Sequence, residues 1–160
     1  MRVTRLSVSV VISVLLSGNA IAGALEDCAA AYDRQDYAEA VRLCRPLAEH
    51  GDMRAQTSLG GMYYNGQGVQ RDFAEAAKWV RKAAEQDYAP AQADLGVMYW
   101  NGQGVPQDVV AAYMWLNLAA AQGEPDAAGE RDVAASQMTA DEIAEAQRLA
   151  RGWKPTAPPP

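Results

Sequence analysis

Residues 55–84 read AQTSLGGMYYNGQGVQRDFAEAAKWVRKAA, and residues 91–120 read AQADLGVMYWNGQGVPQDVVAAYMWLNLAA. The two stretches align without a gap at an offset of 36, pairing Ala55 with Ala91, Leu59 with Leu95, Gly60 with Gly96 and Tyr63 with Tyr99. The match continues through Gly66 and Gly102, Gly68 and Gly104, Asp72 and Asp108, Ala76 and Ala112, Trp79 and Trp115, and Ala83 and Ala119. A fixed period in this range marks a repeat architecture, in which each unit buries its apolar face only by stacking on a neighbour. The spacing predicts a first helix over 54–65, with Ala55, Leu59, Met62 and Tyr63 three to four residues apart. An N-G-Q-G-V turn follows, where Gly66 and Gly68 supply positive φ at no steric cost. Asp72 then caps a second helix, and Glu75 three residues on is expected to complete a capping box. That helix turns Ala76, Trp79, Val80, Ala83 and Ala84 to one side.

The period fades in both directions. Upstream, Asp36, Ala40, Leu43 and Ala48 match Asp72, Ala76, Trp79 and Ala84, and Asp36 with Glu39 repeats the expected capping box. The long glycine loop is missing there, so residues 25–50 read as a tighter helix pair. Downstream, Ala127 continues Ala91, but Arg131 stands where Leu is expected and Asp132 where Gly is. Thr139 with Glu142 gives another capping box, opening a helix with Ile143, Ala146, Leu149, Ala150 and Trp153 inward. Terminal units that differ from the middle are what a stack needs, since they cover its apolar ends. The chain divides into repeats at 25–54, 55–90 and 91–126, a divergent capping pair at 127–153, and a disordered Pro-rich tail at 154–160.

Half of the residues are apolar, and 32 are alanine against one phenylalanine, a mix that suits closely packed helices. At the N-terminus, Arg2 and Arg5 precede a short apolar centre from Val8 to Leu16, then Ser17, Gly18 and Asn19, then Ala20-x-Ala22 and Ala22-x-Ala24. This is the pattern of a secretory signal peptide over residues 1–22, cleaved after Ala22 or Ala24. The interrupting polar residues argue against an uncleaved span, so no integral membrane segment is expected after cleavage. The mature protein is then periplasmic or secreted. It carries twelve bases against twenty acids, a balance that argues against nucleic-acid binding. An oxidising compartment lets Cys28 and Cys44 pair, and closing a loop of that size stabilises by roughly 3 kcal/mol. A redox pair or metal ligation are the competing roles, but no C-x-x-C is present and His50 is the one histidine.

The unit A-x-x-x-L-G-x-M-Y-x-N-G-x-G-V-x-x-D-x-x-x-A-x-x-W-x-x-x-A-A resembles the Sel-one-like repeat (SLR), a relative of the tetratricopeptide repeat. The resemblance implies an all-α, right-handed α-solenoid of about four antiparallel helix pairs. It also implies a role as adaptor or scaffold, often exported in bacteria, and it places the first helix of each pair on the concave side. On that register Arg54, Thr57, Gly61 and Tyr64 project into the groove, and Pro90, Ala93, Val97 and Trp100 follow in the next unit. Tyr64 and Trp100 occupy equivalent positions that the repeat signature does not require, and two stacked aromatics suit an interface anchor. Tyr32 extends the column if its register can be matched without the glycine loop.

Enzyme chemistry finds little material. After the leader the serines are Ser58 and Ser136, neither in a nucleophile motif, and His50 has no partner histidine for a metal. The G-x-G pairs follow a helix and so do not read as phosphate loops. The expectation is a non-enzymatic adaptor of the bacterial envelope that binds a protein or peptide in its groove, with no cofactor and no metal. A module for peptidoglycan or other wall glycan is the alternative. A weak hydrolase or β-lactam-binding protein comes last, since exported SLR proteins linked to penicillin binding carry a cysteine pair in every repeat and this chain has one pair in total.

Overall fold

A computed structural model describes residues 22–156. The leader reading falls on residues that, apart from Ala22, lie outside that range. Eight helices and no strand make up the described chain. Helix α1 covers residues 22–33, α2 Tyr37–Glu49, α3 Met53–Asn65 and α4 Phe73–Ala84. Then come α5 Ala89–Asn101, α6 Val109–Ala121, α7 Ala127–Ala135 and α8 Ala140–Gly152. Each helix from α2 to α6 packs against the next, and α6 packs on both α7 and α8. The result is an α-solenoid of antiparallel pairs. Among the described residues no helix is long and apolar enough to cross a membrane.

Small residues set how closely the helices of a pair approach. A Cβ on Gly60 would lie 2.6 Å from Val80 Cγ2, and one on Gly96 would lie 2.7 Å from Leu116 Cγ. Ala76 and Ala112, fully buried, sit on the facing helices at these crossings. The core forms in two clusters. Trp79 of α4 completes the first, around Cys28, Cys44, Leu47, Leu59 and Met62, and Trp115 of α6 closes the second, around Val80, Leu95 and Met98. The disulfide joins Cys28 to Cys44 across α1 and α2, with both residues buried and their Cα atoms 5.3 Å apart.

The glycine loops tie one unit to the one before. Gly66 and Gly102 end α3 and α5 in the left-handed conformation. The amides of Asp72 and Asp108 then close each loop by donating to Tyr63 and Tyr99 carbonyls, at 3.0 and 3.1 Å. Two residues beyond those glycines, Gly68 and Gly104 (φ +70° and +74°) press on the first turn of the preceding pair's second helix. A side chain at Gly68 would overlap the Tyr37 carbonyl, and one at Gly104 the Phe73 carbonyl.

The capping boxes are a correction. Asp36, Asp72 and Asp108 each accept backbone N–H groups, but the reciprocal arm is formed only by Thr139 and Glu142, at 2.8 Å from the Thr139 amide to the Glu142 carboxylate. Glu39 and Glu75 turn instead to Arg42 and Lys78 one turn on. A charged N-cap explains this: two carboxylates at one helix start repel, while a cation at i+3 attracts. The start of the tail lies against the fold. Trp153 packs edge-on against Trp115 at 5.9 Å, and Thr156 donates to the Glu85 carbonyl through its amide at 2.7 Å and its hydroxyl at 3.0 Å. Residues 154–156 are therefore held against the solenoid, and 157–160 lie outside the described chain. In α8, Ala146 is buried, whereas Ile143, Leu149 and Ala150, with Trp153 just past the helix end, are half-buried.

Gly104→Ala should cost at least about 2 kcal/mol, since it adds both a positive-φ penalty and a clash with backbone. Gly61→Ala, with nothing within 4 Å of the new Cβ and a helix to improve, should be neutral to stabilising by up to about 1 kcal/mol. Urea unfolding monitored by circular dichroism measures both. Reduction of the disulfide should lower stability by about 3 kcal/mol in the same assay, given its 16-residue separation.

Candidate functional site

Two adjoining hollows run along the face built by α3, α5 and α7. One, of about 460 Å³, lies between α3 and α5 and is lined by Gly60, Gly61, Tyr64, Val80 and Met98, with Asp94 among its polar residues. The other, of about 720 Å³, lies between α5 and α7 and is lined by Trp100, Leu116, Gly129, Val133 and Ala134, with Asp126 on its wall. Val97 and Glu130 line both, so the two hollows form one groove. These volumes are in the range that holds side chains or a small ligand. Val133 is 59% exposed on this face, a large apolar residue open to solvent.

The structure gathers Tyr64, Val97 and Trp100 along this groove. Arg54 is not with them; it lines a separate hollow between α1 and α3, beside Ala22 and Glu26. Thr57 lines neither hollow, and its hydroxyl is spent on the Met53 carbonyl at 2.8 Å. Tyr64 is both wall and strut. Its ring packs edge-on against Phe73 at 5.0 Å, and its hydroxyl donates to Gln103 Oε1 at 2.6 Å in the next loop. Tyr32 makes the same pair of contacts one unit earlier, with Tyr37 at 5.4 Å and Gln67 Oε1 at 3.4 Å. That fixes the register of the short first pair: Tyr32 is the counterpart of Tyr64. Trp100 is the third member of the series, and no glycine loop follows to engage it.

Two further ladders at the same period brace the groove's helices. Gln56 and Gln92, both buried, donate to the Ala48 and Ala84 carbonyls at 3.1 and 3.3 Å, capping the end of the preceding helix. Each also accepts from the glutamine at the end of its own pair, Gln86 at 2.8 Å and Gln122 at 2.9 Å. Arg45 lies over Tyr63 and Arg81 over Tyr99, at 5.9 and 5.5 Å from the ring centres. The signal for both ladders was in the sequence, since Gln56/Gln92, Gln86/Gln122 and Arg45/Arg81 all recur at the 36-residue offset. At the divergent end, Arg131 reaches Asn117 at 3.4 Å and Asp132 at 2.7 Å, and so occupies the place of a leucine without facing the core.

The groove is acidic. Asp94 is exposed over its residue as a whole, yet enough protein crowds its carboxyl that desolvation, aided by Glu124 and Glu130, pushes its pKa up to about 6. Glu130 is raised as well, by desolvation and then by Asp126. None of these four acids takes part in an ion pair among the described residues. The described residues also hold no cluster of three or more His, Cys, Asp and Glu side chains placed for a metal ion.

The Sel1 repeat profile matches residues 31–52, 54–88 and 89–124. This chain belongs to the Sel1 repeat family. Proteins of this family are generally protein–protein interaction scaffolds and are generally non-enzymatic. Among solved structures, the chain is similar to c5321, a protective antigen of uropathogenic Escherichia coli with an SLR fold, at 30% identity and a TM-score of 0.79. That alignment covers 83% of this chain and 29% of the other. It is also similar to a Sel1 repeat protein from Oxalobacter formigenes, at 33% identity and a TM-score of 0.58 over 60% of this chain and 40% of that one. This chain therefore spans less than half the length of either. No curated protein matches it.

Because the folded state raises the Asp94 pKa above its unfolded value, folding binds a proton, and stability falls as pH rises from about 4 to 6. Asp94→Asn should therefore stabilise the protein at neutral pH, by about 2 °C in Tm once solvent screening is allowed for. The gain should vanish below pH 4, and melting curves across that range check it.

Proposed function

We propose that this chain is a non-enzymatic adaptor of the bacterial envelope, gripping a segment of a partner protein along the α3–α5–α7 groove. The observation that carries this reading is the continuity of the groove. Side chains from successive units line it, with Tyr64 and Trp100 at equivalent repeat positions and Val97 between them. A surface built at the repeat period presents recurrent subsites, which suit an extended chain better than a compact ligand. Export is supported by the leader pattern and by the buried Cys28–Cys44 pair, which suits an oxidising compartment.

The test is site-specific photo-crosslinking in cells. With the photoreactive residue at Val97, one or a few envelope proteins should crosslink, and Trp100→Ala should abolish the products without unfolding the chain. With it at Ala144, exposed on α8, the same products should be absent. Equal crosslinking from both positions would contradict the groove as the site. Co-sedimentation with purified wall polymer, lost on Trp100→Ala, would favour the glycan module instead.

A further inference from the structure

We propose that the groove selects a peptide segment in which a lysine or arginine lies close to a large apolar side chain, the cation facing Asp94 and Glu130 and the apolar side chain lying against Trp100. This rests on the groove being the binding surface and adds the chemistry of its occupant. The first support is the distribution of charge. Asp94, Asp126 and Glu130 line the two hollows, and Glu124 is close enough to act on Asp94. Elsewhere in the described chain four acids pair with cations, Glu39 with Arg42, Glu75 with Lys78, Asp132 with Arg131 and Glu145 with Arg148, and none of these pairs reaches the groove acids. Arg131, on the helix that carries Glu130, turns away to Asp132 and Asn117.

The second support is what surrounds the acids. Gly60, Val80, Met98 and Leu116 give the groove an apolar floor, and Val133 adds an exposed apolar wall beside Trp100. Carboxylates over a concave apolar surface focus a negative potential that a cation from outside can satisfy. Each hollow carries an acid and an aromatic, Asp94 with Tyr64 in one and Asp126 with Trp100 in the other, and the two share Val97 and Glu130. That arrangement matches neighbouring side chains of one extended peptide.

The experiment is selection of a random dodecapeptide library on the full, oxidised chain at neutral pH. Binders should be enriched in Lys or Arg a few residues from Leu, Met, Phe or Trp. Replacing that basic residue by glutamine in a synthetic binder should weaken it about tenfold or more. On the Asp94→Asn, Glu130→Gln double variant the preference for the basic residue should disappear while the apolar one persists; on Trp100→Ala the apolar preference should go. Binders lost on Trp100→Ala but without a basic bias would overturn the proposal and leave the groove reading standing. Binders indifferent to all three substitutions, or no binders at all, would overturn both. A dimer in sedimentation velocity that Trp100→Ala dissolves would assign the groove to a second copy and also overturn it.

Discussion

The seating of each glycine loop on the preceding pair is the contact on which the rest of this structure depends. Helices packed through alanines have little to fix their relative rotation, because small side chains interdigitate weakly. Gly68 and Gly104 bring backbone against backbone at Tyr37 and Phe73, where any side chain would intrude, so the approach has one geometry. The hydroxyls of Tyr32 and Tyr64 reach the glutamine just before each of those glycines, Gln67 and Gln103. On the far side of the units, the Gln56 and Gln92 ladders pin one helix end to the next. Two sets of directional contacts, one at each end of a pair, hold the angle between units. That angle is what gives the groove its shape.

The groove shows the opposite tendency. Tyr64 serves packing and surface at once, but Asp94 and Glu130 are held where both desolvation and like charge oppose their ionisation. A stack selected for stability alone would place neutral residues there. Rigid framing and an electrostatically costly lining fit a recognition surface, since a pre-organised site spends less of its binding energy on ordering itself. The described part of the C-terminal tail stays clear of this face. It packs through Trp153 on α6 and through Thr156 on the end of α4.

Much of the fold was legible because its grammar is local. The 36-residue period, the aspartate caps and the glycine positions are fixed by backbone requirements that admit few residue types. The capping boxes misled, because Glu39 and Glu75 had a second partner at i+3 and the sequence alone cannot weigh a cap against a cation. Tyr32 could not be matched to Tyr64 by counting, since the first loop is shorter; their shared contacts with glutamines of the next loop make them equivalent. Tyr64, Val97 and Trp100 line the groove on the register that the SLR resemblance implied, whereas Arg54 lines another hollow and the Thr57 hydroxyl turns to the Met53 carbonyl. The acids were hidden among twenty, because Asp94 on α5 and Glu130 on α7 meet only through the packing of those two helices.

The link from loop seating to groove shape is best tested by a distance measured across the groove in solution. Spin labels on cysteines introduced at Asn65 and Gly129, both exposed, span it from α3 to α7. Pulsed electron paramagnetic resonance should give one narrow distance distribution for the otherwise unaltered chain, and a broadened or displaced one when Gly104→Ala is added under conditions where the variant stays helical. An equally narrow, unshifted distribution in that variant would mean that the loop seating does not set the groove, and would contradict the dependence of the stack's geometry on that contact.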